Sequence, residues 1–416
     1  MEQQGRPIFA LAENYPYASR NRPSLIVMER FMSGDATRRL TRNCDDPWTY
    51  VEISANGGVR PCCNFQDLAN IGDGQANFET IRNNSEFRAL RQSLIDGNLS
   101  ATCQRCNIRK SVTPSFLKAK LRVVARSFTL KNTALPISIL RIDINEKCNL
   151  RCDYCAVSAP SYNGVEMNDS TFDKLESLLR TVGPIGRVHV NGHGETTYHP
   201  RWMELCEKVI ASGHRTRFLT NLAKEFTDQE IELLSKFDRI GVSIDSDDPE
   251  LLRRIRKAVR VDHILSTIDR IRDCARARHR RAPKFTFSVG VYDPSIWGLE
   301  RFVSRAMEFG IYQFYFWNLT EYSHQKLVKP LATLEGDNKM RAIAIINTVR
   351  RKLNLAGALY TFSGDFAGVI DKPTVQDYVC MGLGQVRRGS EIVLKRQPRA
   401  SHPWRTPPQL IPQKSS

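Results

Sequence analysis

The sequence predicts an α/β fold, in which a small cysteine-rich module precedes a partial, TIM-like barrel of six strand–helix units, (β/α)6. Strand-like and helix-like segments alternate from residue 138 to residue 328, which is typical of a parallel sheet with right-handed crossovers. Six units are too few to close an eight-unit barrel, so we expect an open one. The predicted strands lie near 138–144, 187–191, 216–220, 239–244, 285–291 and 312–317.

Apolar residues at helical spacing predict the helices between these strands. The clearest helix covers 200–212, because Pro200 suits its first turn and the following apolar residues share one face. Cys206 lies on that face, and Cys274 lies on the apolar stripe of another helix, so both are predicted to be core residues. The other predicted helices lie near 169–182, 226–235, 262–278 and 297–309.

The remaining segments are assigned from their composition and local signals. A strand over 49–54, a turn at Gly57 and a second strand from Val59 predict a hairpin inside the cysteine-rich module. The predicted domains are an N-terminal extension (1–40), the module (41–110), a basic linker (111–137), the barrel (138–328), a helical or irregular segment (329–386) and a basic, proline-rich, disordered tail (387–416).

The bulk composition restricts the class of protein. The chain has 416 residues and is 41% hydrophobic, but it has no run of eighteen apolar residues and no secretory signal, so we expect a cytoplasmic protein without membrane partners. Its net charge of +17 favours acidic partners such as nucleic acid, phosphorylated metabolites or an acidic peptide, although a basic solvated surface explains the charge equally well. Clustered cysteines in a reducing compartment indicate metal or cluster binding.

Three cysteines follow the first predicted barrel strand with the spacing C-x3-C-x2-C. Cys148, Cys152 and Cys155 can bind three corners of one [4Fe–4S] cluster, which leaves the fourth iron free to bind a ligand. A structural three-cysteine metal site is the alternative.

Polar motifs lie at the ends of two further strands. Asn191-Gly192-His193-Gly194-Glu195 comes after the second, Ser243-Ile244-Asp245 closes the fourth, and Arg256 lies thirteen residues after Ser243. Loops after parallel strands meet at one rim of a barrel, so we expect these segments to converge.

Together with Tyr154, these motifs resemble the radical S-adenosylmethionine (SAM) superfamily over roughly residues 138–320. The resemblance implies that Tyr154, Gly192, Gly194, Glu195, Ser243 and Arg256 contact SAM, with Glu195 near its ammonium and Arg256 near its carboxylate. It also implies that SAM on the free iron is cleaved by one electron, from a donor such as flavodoxin or ferredoxin. The resulting 5′-deoxyadenosyl radical then abstracts a hydrogen atom from the substrate.

The upstream module holds a second set of cysteines. Cys44, Cys62, Cys103 and Cys106, with Gly57 five residues before Cys62, resemble the SPASM/twitch auxiliary modules of radical SAM enzymes. Because no cysteine occurs in 107–147, the match is to the shorter twitch type, which implies one auxiliary [4Fe–4S] cluster. Cys63 could replace Cys62, and a four-cysteine zinc site is the alternative. In relatives the module usually follows the barrel. Cys380 is interpreted as an apolar residue.

These features predict an oxidoreductase-type radical SAM enzyme. Its expected reaction is oxidation, dehydrogenation or epimerisation of a small polar, carbohydrate-like metabolite, assisted by the auxiliary cluster. One alternative is a maturase that modifies a ribosomal peptide. An alternative of another class is a four-cysteine metal-binding protein that recognises nucleic acid.

Overall fold

The computed structural model describes residues 39–74, 77–106, 109–125, 132–183, 185–257, 259–319 and 324–363. Nearly all of the predicted N-terminal extension, the whole predicted tail and Cys380 lie outside these residues. Within the described ranges, no helix is both long enough and apolar enough to cross a membrane.

The cysteine-rich module combines short strands with short helices. Strands β2 (Tyr50–Ile53) and β3 (Gly58–Arg60) form the predicted antiparallel hairpin, and Gly57 makes its turn with a φ of +82°. A separate two-stranded sheet joins the two ends of the module. The other elements are β1 (Thr41–Arg42), β4 (Ala69–Asn70), β5 (Ser111–Val112), α1 (Asp46–Thr49), α2 (Phe78–Arg82), α3 (Ser85–Asp96), α4 (Ala101–Gln104) and α5 (Pro114–Ala125).

Parallel strands form the barrel sheet, and each pairs with the next strand along the chain. The strands are β6 (Ile139–Ile142), β7 (Arg187–Val190), β8 (Thr216–Thr220), β9 (Arg239–Ser243), β10 (Lys284–Val291), β11 (Gln313–Asn318) and β12 (Leu359–Ser363). The helices are α6 (Asp169–Thr181), α7 (Trp202–Ala211), α8 (Asp228–Leu234), α9 (Pro249–Arg256), α10 (Val261–Ala277), α11 (Leu299–Glu308) and α12 (Gly336–Leu355).

The predicted fold class is confirmed, with one strand more than the six expected. Strand β12 follows α12 and pairs parallel with β11, so the segment predicted to be helical or irregular also contributes to the sheet. Strand β12 was not predicted, because the alternating pattern from Leu359 to Ser363 is short and directly follows a long helix.

The module is attached to the barrel through the sheet itself. Strand β2 runs parallel to β6, with Glu52 opposite Arg141, and β3 and β4 continue the same sheet in antiparallel fashion. The described sheet therefore has ten strands, in the order β12-β11-β10-β9-β8-β7-β6-β2-β3-β4. As a result, the upstream module adds a parallel strand to the edge where the barrel begins.

The two faces of the barrel strands differ in character. Alternate side chains such as Leu140, Val188 and Phe218 pack with the helices in one apolar core. Cys206 is fully buried in that core and Cys274 packs against it, as predicted. The opposite face, called the inner face below, carries polar residues, including Arg141 and Arg217.

Candidate active site

The three cysteines of the C-x3-C-x2-C motif lie together in the loop after β6. Their thiols are close enough to raise one another's pKa, and burial raises the pKa of Cys148 and Cys152 to about 12 and that of Cys155 to about 11. Such thiols stay protonated at neutral pH unless cations stabilise the thiolates. This donor set therefore fits an iron–sulfur cluster, whose iron ions supply that positive charge.

The cysteine loop is held in place by contacts at its middle and its end. The Asp153 carboxylate accepts hydrogen bonds from the backbone N–H of Leu327, at 2.9 Å, and of Lys326. The Asp153 N–H donates to the Ile255 carbonyl at 2.8 Å, at the end of α9. The sequence pattern did not single out Asp153, because its partners are distant along the chain.

The glycine motif packs directly against this loop. Gly194 N–H donates to the Asn145 carbonyl at 3.1 Å, and Glu195 N–H donates to the Lys147 carbonyl at 2.9 Å. A Cβ on Gly194 would lie 2.1 Å from the Lys147 oxygen, and one on Gly192 would lie 1.7 Å from Asp143 Oδ1. In this structure the two glycines allow close approach of protein to protein. Their predicted contacts with SAM remain predictions.

Replacing Gly194 by alanine is therefore expected to displace the cysteine loop. Backbone atoms fill the space that the new Cβ needs, so we expect loss of most of the barrel-cluster iron after reconstitution. Gly183→Ala is the control, because nothing lies within 4 Å of a Cβ at that position. Iron analysis and electron paramagnetic resonance compare the two variants. Equal cluster loading in both would contradict the packing role of Gly194.

The Glu195 carboxylate is buried at the ends of two strands. It accepts hydrogen bonds from Thr220 Oγ1 and Thr197 Oγ1, each at 2.9 Å, and from the Asn221 N–H at 2.8 Å. Burial raises the pKa of Glu195, and these donors oppose that shift. The Asn221 side chain donates to Asn149 Oδ1 at 2.9 Å, inside the cysteine loop. Oε2 accepts only one of these bonds, which leaves capacity for an ammonium group.

The buried carboxylate of Asp245 connects Tyr154 and Arg256, two more of the residues predicted to contact SAM. Asp245 accepts hydrogen bonds from the hydroxyls of Tyr154 and Tyr292, at 2.8 and 2.9 Å, and from the Gly290 N–H at 2.9 Å. Arg256 donates to it through Nε at 2.7 Å and through Nη2 at 3.3 Å.

The orientation of Arg256 bears on its predicted role. Its Nη1 donates to the Ser243 carbonyl at 2.9 Å, so each of its three nitrogens bonds to protein. In this structure Arg256 holds Asp245 and, through it, the ring of Tyr154. Its contact with the SAM carboxylate remains a prediction. Asp245 belongs to the motif Ser243-Ile244-Asp245, which was recognised in the sequence. Tyr292 was not recognised, because it follows β10, where no site motif was found.

Next to the glycine motif, His193 and Asp143 form a buried pair. Asp143 Oδ2 accepts a hydrogen bond from the His193 N–H at 3.0 Å and lies 3.1 Å from His193 Nδ1. Burial alone would raise the pKa of Asp143, but the bonds from His193 and the charge of Arg141 lower it. This pair fixes the loop that carries Gly192 and Gly194.

The upstream cysteines form two pairs. The Cys44 thiol raises the pKa of Cys62, and the Cys106 thiol raises that of Cys103, although burial contributes more in both cases. Arg42 connects the pairs, because it precedes Cys44 by two residues and donates to the Cys103 carbonyl at 2.8 Å. The pairing of β1 with β5 brings the two ends of the module together.

A mononuclear zinc site requires a more compact set of sulfurs. Zinc–sulfur bonds of about 2.3 Å in a tetrahedron place the sulfurs about 3.8 Å apart. In the part of the chain that the structure describes, no three cysteine sulfurs lie within 4.8 Å of one another. The described residues therefore hold no set of cysteine sulfurs already spaced for a tetrahedral zinc ion.

Cys62 and Cys63 have different surroundings. The Cys62 pKa is raised by burial and then by Cys63, Asp46 and Cys44, whereas that of Cys63 is raised to about 12 by burial and by Glu52 of strand β2. Cys62 is therefore close enough to Cys44 to interact with it, whereas Cys63 interacts with Glu52 and Arg141 at the junction with the barrel.

This difference predicts distinct effects of two neighbouring substitutions. Cys62→Ala is expected to remove the auxiliary cluster, lowering the iron content by about four per chain, whereas Cys63→Ala is expected to retain it. Iron and sulfide analysis of the reconstituted variants makes the comparison. The reverse pattern would assign Cys63 as the ligand.

Comparison with known families gives two matches. The model of the radical SAM superfamily matches residues 142–302, and that of SPASM, an iron–sulfur cluster-binding domain, matches residues 44–107. These ranges contain the two sets of cysteines described above.

Among curated proteins, the chain is 26% identical to a tungsten-containing aldehyde ferredoxin oxidoreductase cofactor-modifying protein of Pyrococcus furiosus, over 40% of this chain and 44% of that protein. It is 24% identical to a probable GTP 3′,8-cyclase of Thermococcus kodakarensis, over 41% of this chain and 54% of that protein. The chain spans about half the length of these relatives.

Among solved structures, Streptococcus suis SuiB bound to its precursor peptide SuiA matches with a TM-score of 0.44 and 20% identity. The match covers 64% of this chain and 57% of that one. The domain matches agree with the cysteine motifs and the open parallel sheet, and they imply a SAM-binding [4Fe–4S] cluster and auxiliary iron–sulfur binding. The chain thus contains a radical SAM domain, and a SPASM iron–sulfur cluster-binding domain precedes it.

Proposed function

We propose that this radical SAM enzyme acts on a small polar metabolite that binds against the inner face of the sheet. The observation that carries the proposal is the buried polar row on this face. Glu52, Arg141, His189 and Arg217 are in register across four neighbouring parallel strands, and all four are buried. Within this row Arg141 Nη2 has no partner among the described residues, and a polar substrate can satisfy such a buried donor.

The position of this row supports the same proposal. Arg141 lies on the strand that leads into the barrel cysteines, and His189 lies on the strand that leads into the glycine motif. Glu52 belongs to the upstream module. A metabolite on this face would therefore lie between the candidate SAM site and the candidate auxiliary-cluster site.

The bound cofactors supply reductive cleavage of SAM and a 5′-deoxyadenosyl radical that takes a hydrogen atom from the substrate. The chain's own residues position the reactants. Tyr154 is fixed by Asp245, and Glu195 presents a buried carboxylate at the rim. We propose oxidation, dehydrogenation or epimerisation as the outcome, with the auxiliary cluster assisting and flavodoxin or ferredoxin as electron donor. The names of the relatives include a GTP cyclase and, in Selenomonas ruminantium, a nucleotide dehydratase, which favours a small molecule over a polymer.

Isotope transfer tests the proposal. Reconstituted enzyme is incubated with SAM, a reductant and extract from cells grown in deuterated medium, after the extract is separated into metabolite, peptide and nucleic-acid fractions. We expect the metabolite fraction to yield 5′-deoxyadenosine one mass unit heavier, because a substrate deuterium is transferred to it. Heavy product from the peptide fraction alone would support the ribosomal-peptide alternative. Unlabelled product from every fraction would contradict hydrogen abstraction from these molecules.

A further inference from the structure

Two buried side chains with N–H donors lie on the inner face, one on β6 and the other directly after β7. Arg141 on β6 is 4% exposed, and Asn191, the residue after β7, is 3% exposed. They are neighbours, because Arg141 Nε donates to the Asn191 carbonyl at 3.4 Å. Asn191 is the first residue of the motif that carries Gly192 and Gly194, so the pair lies directly beside the candidate SAM site.

Each of the two side chains has a nitrogen without a protein partner. Arg141 Nη1 bonds to Glu52 Oε2 at 3.2 Å and its Nε bonds to Asn191, but Nη2 has no partner among the described residues. The same is true of Asn191 Nδ2. Buried N–H donors that lack a protein acceptor are satisfied by water or by a ligand. Arg141 Nη2 and Asn191 Nδ2 are both donors, so the group that binds them must be a hydrogen-bond acceptor.

The charges around the pair favour an anionic acceptor. Glu52 is shared by two guanidinium groups, since Arg60 Nη1 lies 3.6 Å from Oε1 and Arg141 Nη1 lies 3.2 Å from Oε2. The Tyr50 hydroxyl also donates to Glu52, at 2.8 Å. The Glu52 carboxylate is thus already bound by three protein groups, and the Nη2 side of the Arg141 guanidinium remains positively charged. Arg217, fully buried two strands from Arg141 on the same face, adds a further guanidinium.

From this arrangement we propose that Arg141 Nη2 and Asn191 Nδ2 bind an oxyanion of the substrate, a carboxylate or a phosphate. The inference rests on the proposed function and assigns its substrate class: a small molecule that carries an anionic group near the hydrogen that is abstracted. A guanidinium and an amide N–H₂ both supply N–H donors, which the oxygens of a carboxylate or a phosphate accept. Since both donors are almost completely buried, the ligand must reach the interior, which suits a metabolite.

Binding to the cluster-loaded protein tests the proposal directly. Calorimetric titrations with SAM present, at constant ionic strength, use inorganic phosphate as one probe and succinate as the other. We expect at least one to bind to the wild type, and the tighter one identifies the oxyanion. In Asn191→Ala the Kd is expected to rise about tenfold, because a charge-assisted site loses one of its two donors.

A second variant and a control separate anion recognition from general effects. Arg141→Gln combined with Glu52→Gln removes the guanidinium without leaving its buried partner charged, and it should weaken binding at least as much. Arg239→Gln is the control, because Arg239 is on the same face but at the start of β9, where Nη1 bonds to Gln313 at 2.7 Å. It should leave Kd unchanged.

Three results would overturn the anion site: no binding of either probe to the wild type, equal binding in Asn191→Ala, or an equal loss in Arg239→Gln. Tighter binding of an acidic peptide through the same two residues would overturn the assignment to a small molecule. Failure of the proposed function can be distinguished from failure of the anion site. Wild-type protein that binds an anion through these residues but never forms 5′-deoxyadenosine would confirm the anion site and contradict the radical chemistry.

Discussion

Replacing Cys148, Cys152 and Cys155 together by alanine is expected to abolish reductive SAM cleavage and to lower the iron content from about eight to about four per chain. The three thiols lie in one loop after β6, and each raises the pKa of another. The four remaining candidate ligands are in the upstream module, whose strands and helices do not depend on this loop for their hydrogen bonds. Iron analysis and chromatography of 5′-deoxyadenosine measure the two effects.

The matched control for this triple variant is Cys274→Ala. Cys274 is half-buried in α10, far in sequence from both sets of candidate ligands, and packs against the apolar core. Its replacement should retain both clusters and full SAM cleavage. Formation of 5′-deoxyadenosine by the triple variant would show that the barrel cysteines do not hold the SAM-binding cluster. A complete loss of iron would show that the two clusters assemble together.

The second large effect is expected at Asp245. Asp245→Ala should lower the free energy of unfolding by about 3–5 kcal/mol, because it leaves the buried Arg256 guanidinium without its carboxylate. It also removes the acceptor of two tyrosine hydroxyls, at Tyr154 and Tyr292. Anaerobic urea unfolding of the reconstituted protein, monitored by circular dichroism, gives the comparison with the wild type.

Tyr292→Phe is the variant with which the stability loss of Asp245→Ala is compared. It removes one donor to Asp245 and leaves the ion pair with Arg256 in place, so a loss of about 1 kcal/mol is expected. Equal losses in the two variants would mean that the ion pair contributes nothing beyond one hydrogen bond. SAM affinity measured on Tyr292→Phe also tests whether fixing the Tyr154 ring matters for the cofactor site.

Local patterns were sufficient to predict much of the candidate site. The spacing of Cys148, Cys152 and Cys155 is a property of one short loop, so no distant contact is needed to identify it. Glu195 follows one predicted strand and Ser243 lies at the end of another. The C-terminal ends of parallel strands meet at one edge, so the convergence of these residues with the cysteine loop could be expected. The structure places Glu195, Thr220 and Asn221 in contact at this edge.

Other features depended on partners that are distant along the chain. Arg256 could be placed near the rim, but its bonds to Asp245 are set by packing around Tyr154 and Tyr292. Gly194 was predicted to approach SAM, whereas its close approach to the Lys147 carbonyl became evident only in three dimensions. Side-chain direction at such positions depends on which neighbours fill the surrounding space, and sequence spacing does not specify those neighbours.

The sequence by itself therefore determined the open α/β barrel, the two sets of cysteines and the resemblance to radical SAM proteins with a SPASM/twitch-like module, because periodicity and motif spacing are local properties. Only the tertiary structure decided how the upstream module joins the barrel. Strand β2 pairs with β6 across more than eighty residues, placing Glu52 against Arg141. Parallel pairing between distant strands leaves no signature in either segment, since the hydrogen bonds are made by backbone groups that every non-proline residue carries.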